Sequence, residues 1–286
     1  MKNLIIELAK KNKITDIGFC RIEDYNNRIN VDNARKGVFS NSTPLAFDPK
    51  TAIVFAFGYY VNKNSGNISR YAWGKDYHIV TKQKMKDIVD FLKSQGYHAE
   101  SYADIGPLDE RLLAKLSGVA FIGKNKMAIS TTYGSYFFIG YILTDCELEP
   151  DCENTLSCMN CGKCVNVCPL GALGEESFDA EKCLSYISQK KCELSGTEIQ
   201  ALSESGKLWG CDLCQEVCPH NANIPETDIN EFKTDIITDL QLDDISNKEF
   251  KARFGDRAFA WRGKNVLLRN QRYVYIIGSE KKSKKI

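Results

Sequence analysis

The sequence predicts a chain of mixed class, α+β/α/β, with an N-terminal α/β domain, a compact cysteine-rich domain and a short helical C-terminus. Three observations carry this. Helix-period and strand-period segments alternate through the first 150 residues. Of the nine cysteines from Cys158 to Cys218, seven fall in two regularly spaced runs, and Cys183 lies between the runs. Positive charge collects at the C-terminal end, where residues 248–286 hold 12 Lys and Arg against 3 acidic residues in a chain of net charge +1. The divisions expected from these shifts are 1–150, 151–225 and 226–286.

The elements follow in order. Leu4, Ile5, Leu8 and Ala9 recur at helical spacing, and Ile14, Ile17 and Phe19 then read as a strand. Residues 26–49 show little periodicity and predict loop with short helix. The apolar run Thr51–Phe57 reads as a buried strand. After a polar loop (62–67), Met85, Ile88, Val89 and Leu92 share one face of a helix that ends near Gly96. His98–Ala103 is the next strand. A helix is expected just after Pro107, where the missing N–H costs nothing, with Leu112, Leu113 and Leu116 buried. Strands at Met127–Ser130 and Tyr136–Thr144 close the α/β part, and the acidic stretch 146–154 reads as a linker. Beyond Pro219 an acidic segment (225–244) leads to a basic amphipathic helix over Trp261–Ile277.

The cysteines carry the chemistry. Cys158, Cys161, Cys164 and Cys168-Pro169 have the C-x2-C-x2-C-x3-C-P spacing that wraps a [4Fe–4S] cube, with the fourth Cys given to a second cluster. The later run, Cys211, Cys214 and Cys218-Pro219, is one ligand short, and Cys183 lies between the two as the candidate. The assignment is Cys158, Cys161, Cys164 and Cys218 on one cluster, and Cys168, Cys183, Cys211 and Cys214 on the other. The cysteine-rich domain is therefore two-cluster and ferredoxin-like. Structural zinc is the competing reading, but four ligands in two pairs leave the third equally spaced Cys and the paired Cys-Pro endings unexplained. A disulfide framework fits poorly with a long chain whose first 20 residues have no signal-peptide core. Cys20, Cys146, Cys152 and Cys192 read as ordinary thiols.

With 286 residues and 43% apolar content there is enough for a sizeable core. No apolar run of 18 residues exists, so no membrane-spanning helix is expected. Reduced thiolates and the lack of a targeting signal favour the cytoplasm. The basic C-terminal end suggests a surface for a polyanion, with a solvated lysine tail at Lys281–Lys285 as the plainer account of part of it.

Several short motifs resemble those of one family. They are Trp73-Gly-Lys-Asp-Tyr-His78, Asp104-Ile-Gly-Pro107, Ile122-Gly-Lys-Asn125, Tyr133-Gly-Ser-Tyr136, Cys183-Leu-Ser-Tyr186, the Gly210–Pro219 run and Ala260-Trp-Arg-Gly-Lys264. In order and spacing, from about Ile14 to Gly278, they resemble the epoxyqueuosine reductases of queuosine-tRNA biosynthesis. The resemblance implies a cobalamin-dependent oxidoreductase with two [4Fe–4S] clusters. It would reduce the epoxide of epoxyqueuosine, at the wobble position of a tRNA, to the alkene of queuosine. Its corrinoid-binding half would resemble that of reductive dehalogenases. The resemblance places the proton donor on Asp104 and an active-site pair on Tyr77 and His78. Corrinoid contacts fall on Ser69, Arg70, Asp104, Lys124, Asn125, Ala128, Ser135 and Ile139, many through backbone atoms. The implied partners are the anticodon arm of tRNA and a low-potential electron donor such as flavodoxin or ferredoxin, with no membrane. Some members have Cys where this chain has Ser69, and longer members continue into a helical-repeat domain after the Trp261 region.

Opening an epoxide and removing its oxygen takes two electrons and protons. No side chain supplies electrons, whereas clusters and a corrinoid do. Negative charge developing on oxygen calls for a positioned acid. Asp104 is placed for that if burial keeps it protonated. The structural alternative is that Asp104 caps a helix or fixes a turn. His78 and Tyr77 could equally be structural, Trp73 and Tyr71 could be core, and Lys124 could be a solvated turn residue. Two other function classes compete: a corrinoid iron–sulfur reductase acting on a small molecule or on another corrinoid protein, and an electron-transfer module.

Overall fold

The structure, a computed structural model, describes residues 1–31, 45–175 and 177–277. The lysine tail and much of the 26–49 segment lie outside these. The chain groups into two compact units. The first comprises Met1–Tyr59, Tyr77–Met159 and Ala222–Ile229, and the second Tyr60–Asp76, Asn160–Asn221 and Asn230–Ile286. These differ from the sequential divisions expected at 150 and 225, because residues 60–76 belong with the cysteine-rich unit and 222–229 with the first.

In the first unit the order is α1 (Lys2–Lys11), β1 (Asp16–Arg21), α2 (Ile22–Val31), β2 (Thr51–Gly58), α3 (Tyr77–Ser94) and β3 (Ala99–Ala103). Then come α4 (Glu110–Leu116), β4 (Phe121–Ile122), β5 (Ala128–Ile129) and β6 (Phe137–Thr144). The main sheet has the order β1-β2-β6-β3, and every neighbouring pair is antiparallel. The α/β expectation for this unit is thereby corrected to α+β. The reason is physical: β2 and β6 are buried at every position, and that pattern reports cover on both faces, not strand direction.

Alternation sorts the core. Ala52, Val54 and Ala56 of β2, with Phe137, Ile139, Tyr141 and Leu143 of β6, pack against Leu112, Leu113 and Leu116 of α4. The intervening residues face α3. There Gly140 leaves the room that Phe57 and Met85 occupy, since a Cβ would meet Phe57 at 2.8 Å and Met85 at 3.1 Å. The helix expected just after Pro107 starts at Glu110 instead. Asp109 caps it, its Oδ1 accepting from the N–H groups of Arg111 (2.9 Å) and Leu112 (3.1 Å).

The second unit is built from short helices: α5 (Lys163–Val167), α6 (Leu184–Ile187), α7 (Gly196–Ser205), α8 (Leu213–Glu216), α9 (Asn230–Lys233), α10 (Asn247–Phe254) and α11 (Lys264–Arg272). Ser195 and Glu198 form a capping box on α7, and Gly206, at φ 66°, ends it. Trp209 is fully buried, donates from its indole nitrogen to Tyr71 Oη (2.6 Å), and bridges Ile68 in parallel. Trp73 donates to Ile68 O at 2.7 Å, so Trp73 and Tyr71 serve the core of this unit. The single helix expected over Trp261–Ile277 is divided. A 3-10 turn at Ala258–Ala260 precedes Gly263 (φ 81°), after which α11 runs to Arg272 and a π turn follows. No helix among the described residues is long and apolar enough to cross a membrane.

Thr51, at the start of the interior strand β2, ties the sheet to the chain that leaves β6. Its buried hydroxyl donates to Cys146 O (2.8 Å) and accepts from Leu148 N–H (3.1 Å). Thr51→Val keeps the shape and strands both partners, so it should cost about 1–3 kcal/mol. A lowered melting midpoint of the anaerobically purified protein is the expected reading.

Candidate functional site

Asp104 follows β3 with its backbone at φ 60°, a left-handed conformation that costs a residue with a side chain. Its carboxylate is gripped from one side. Tyr77 Oη donates to Oδ2 at 2.9 Å, and His78 Nε2 lies 3.3 Å from the same oxygen. Its own N–H donates to Glu110 Oε2 at 3.0 Å. Tyr77 and His78 open α3, and a row of rings sets their position. Tyr59 packs on Phe138 (4.4 Å between centroids), Phe138 stacks on Tyr77 (4.3 Å), and Tyr77 on His78 (4.0 Å). The helix-cap role considered for Asp104 is taken by Asp109, and the side chain of Asp104 points instead into this pair.

The electrostatics correct one expectation. Asp104 was expected to stay protonated through burial. His78, then Tyr77, instead holds its carboxyl below the usual carboxylate range, despite an opposing contribution from desolvation. The carboxyl pushed upward is Glu110, which desolvation and the neighbouring Asp104 charge raise to about 7. Sequence reasoning missed Glu110. As the first residue of a helix it looks like an ordinary favourable charge at the helix N-terminus.

Around this centre the chain leaves apolar and polar groups open. Ile105 is 67% exposed and Ile79 43% exposed, beside Asp104 and His78 in sequence. Asn125 is buried, and its Nδ2 has no partner, while its Oδ1 accepts from Met127 N–H. An unpaired buried amide donor fits an acceptor from outside the chain, of the kind cobalamin's carboxamides provide. Ala128, Ser135 and Ile139 are buried, and Lys124 is half-buried in the turn before β5.

The second unit gathers the sulfur. Cys211 and Cys214 are pushed up first by desolvation; the Asp212 charge and then Cys183 add to this at Cys211, and Cys211, Cys183, Cys164 and Cys168 at Cys214. Cys211 reaches about 12. These five cysteines feel one another's charge and are soft thiolate donors of the kind iron–sulfur ligation uses, while among the described residues no three His, Cys, Asp or Glu are gathered as a metal site. Cys158 and Cys218 are half-buried and Cys161 is exposed, and all twelve cysteines are free thiols.

Ser69 and Arg70 stand in this second unit. Ser69 Oγ donates to Asp212 Oδ1 at 2.5 Å, and Arg70 N–H donates to Oδ2 at 3.1 Å. Asp212 is 1% exposed and faces Lys207 at 3.6 Å. It stands next to Cys211, so the segment 60–76 is tied directly to the loop that carries Cys211 and Cys214. The Arg70 side chain donates to Val61 O and lies over Trp73, with its Nε buried and unpartnered. The Gly210-Cys-Asp-Leu-Cys motif contained Asp212, but nothing local marks it as the anchor of residues 60–76.

The basic C-terminal residues divide by use. Arg269 donates to Lys190 O and Cys192 O, both at 2.7 Å, Arg257 donates to Trp73 O, and Lys264 donates to Ile245 O. Those three hold the unit together. Arg253 and Arg272 are exposed, and Arg262 lies 3.7 Å over the ring of Trp261, itself 61% exposed.

Comparison with known proteins accounts for both units. The family model described as epoxyqueuosine reductase QueG matches residues 41–104, and that of a 4Fe-4S double cluster binding domain matches residues 157–221. An epoxyqueuosine reductase of Lactococcus garvieae (strain Lg2) is 36% identical over 75% of this chain and 62% of its own length. One from Atelocyanobacterium thalassa (isolate ALOHA) is 32% identical over 81% of each. The chain therefore spans a little under two thirds of the first relative and about four fifths of the second. Among solved structures, an epoxyqueuosine reductase bound to an epoxyqueuosine-modified tRNA stem loop superposes with a TM-score of 0.80 at 30% identity, over 96% of this chain and 80% of that one. By this similarity in sequence and fold, the chain belongs to the epoxyqueuosine reductase family, whose cofactors are [4Fe–4S] clusters and cobalamin.

Proposed function

We propose that this chain reduces the epoxide of epoxyqueuosine in tRNA to the alkene of queuosine. The observation that carries the reading is the Asp104 carboxylate held by Tyr77 and His78 within a chain of this family. Both C–O bonds of the epoxide break, the carbon–carbon double bond forms, and oxygen leaves as water. The balance takes two electrons and two protons. When bound, the clusters and cobalamin supply the electrons, drawn from a low-potential donor such as flavodoxin or ferredoxin. This chain's residues supply one proton to the departing oxygen, and solvent supplies the other. Because Asp104 rests ionised, the proton belongs to the Asp104–His78–Tyr77 group as a whole, and the carboxylate sets the imidazole and phenol where the oxygen departs.

The eight assigned cysteines are the proposed cluster ligands, with Asn125 as a donor toward a corrinoid amide. The exposed Arg253 and Arg272 and the half-buried Arg262, with Trp261, form the proposed contact to the anticodon arm through phosphate and stacking.

Three measurements test this reading. Asp104→Asn should retain iron and cobalamin yet lose roughly 10²–10⁴-fold in turnover on epoxyqueuosine-containing tRNA. Wild-type rates in that variant would remove Asp104 from the chemistry, and a wild type inactive on such tRNA but active on a small epoxide or organohalide would overturn the substrate. Cys183→Ser should remove the signal of one cluster and leave the other detectable by electron paramagnetic resonance. Replacing Arg253, Arg262 and Arg272 together with Gln should weaken tRNA binding and lower its salt dependence by about three phosphate contacts, with iron and cobalamin content unchanged. Unaltered binding would place the RNA elsewhere.

A further inference from the structure

We propose that Glu110 is the positioning residue of the active-site carboxylate: by accepting the Asp104 N–H it latches the loop that presents Asp104 to Tyr77 and His78. The role of the latch in catalysis rests on the proposal that Asp104 belongs to the proton-donating group; the latch itself does not.

The loop needs holding. Asp104 sits at φ 60°, where a side chain is disfavoured, and the chain folds back at once, with Ile105 N–H donating to Ala103 O at 2.7 Å. The far end of the loop is fixed by two phenols, Tyr141 Oη accepting from Leu108 N–H (3.2 Å) and Tyr25 Oη from Asp109 N–H (2.8 Å). Gly106 is needed there, because a Cβ would stand 2.1 Å from Tyr141 Oη. At the near end, the bond from Asp104 N–H to Glu110 Oε2, at 3.0 Å, ties the backbone of the strained residue to α4. Glu110 is rooted at the start of α4, beside the Asp109 cap, so it offers a fixed acceptor.

The latch responds to protons. Glu110 faces the charges of Asp104, Asp109 and Arg111, and Tyr141 of β6 stands against it. Desolvation and the Asp104 charge raise it to about 7, whereas the bond from Asp104 N–H works in the opposite direction. Docking the loop brings the Asp104 carboxylate to Glu110 along with its N–H, and the charge outweighs the bond, so docking as a whole favours protonated Glu110. The latch is therefore tightest below pH 7, where the neutral carboxyl still accepts the N–H, and slackens as pH rises through that value.

Amide hydrogen exchange on the anaerobically purified, cluster-loaded protein reads the latch without turnover. In the wild type, protection of the Asp104 amide, corrected for the intrinsic exchange rate, should fall about tenfold between pH 6 and pH 8. Glu110→Gln keeps an acceptor without the charge, so it should show the low-pH level of protection at every pH. Glu110→Ala should fall below both. With cobalamin and tRNA present, Glu110→Ala should lower kcat more than it raises KM, and Glu110→Gln should recover part of the loss while flattening the pH profile. Protection that is independent of pH in the wild type, or equal in all three proteins, overturns the proposal. If Asp104→Asn proves fully active while the exchange pattern is as expected, the latch stands and the proposed acid falls.

Discussion

Pairing of β2 with β6, buried on both faces, is the constraint on which the first unit depends. Two strands with no exposed position must be covered twice, and the alternation of their side chains assigns α4 to one face and α3 to the other. The α3 contact requires Gly140, since Met85 and Phe57 fill the place of a side chain there. Where that helix begins, Tyr77 and His78 are carried to the end of the sheet. Phe138, next along β6 from Phe137, stacks on Tyr77 and fixes the ring whose hydroxyl meets Asp104. The site is thus an outgrowth of sheet packing: apolar burial sets the helix, and the helix sets the phenol and imidazole.

Two carboxyl groups at this site are driven apart in proton affinity by their partners. Asp104 gains hydrogen bonds to its ionised form and is held low; Glu110 is desolvated beside an existing negative charge and is raised. Such separation marks groups with different tasks. Asp104 keeps a charge that orients a phenol and an imidazole. Glu110 titrates near neutrality against a backbone N–H, where its charge state alters the hold on the loop.

In the second unit a buried carboxylate plays the organising part. Asp212 collects Ser69 Oγ, Arg70 N–H and Lys207, and it stands between Cys211 and Leu213 of the cysteine run. Burying it without those partners would be costly, so the network binds residues 60–76 to the sulfur-rich loop as firmly as apolar packing does. Ser69 is thereby committed to structure through its side chain.

The sequence by itself determined what depends on local spacing. The cysteine intervals marked a two-cluster domain, the apolar runs named β2 and β6, and the helical periods named α1 and α3, because each is written within a few neighbouring residues. The motif around Asp104 marked it and the Tyr77–His78 pair as candidates. Only the tertiary structure decided strand direction, since burial on both faces reads alike for parallel and antiparallel strands. It alone gave residues 60–76 to the cysteine-rich unit, because the bond that binds them runs from Ser69 to Asp212 across 143 positions. It alone separated Arg257, Lys264 and Arg269, spent on backbone carbonyls, from the exposed Arg253 and Arg272. It also reversed the charge state expected of Asp104 and brought Glu110 forward. Proton affinity is fixed by desolvation and by neighbours in space, and a sequence states neither.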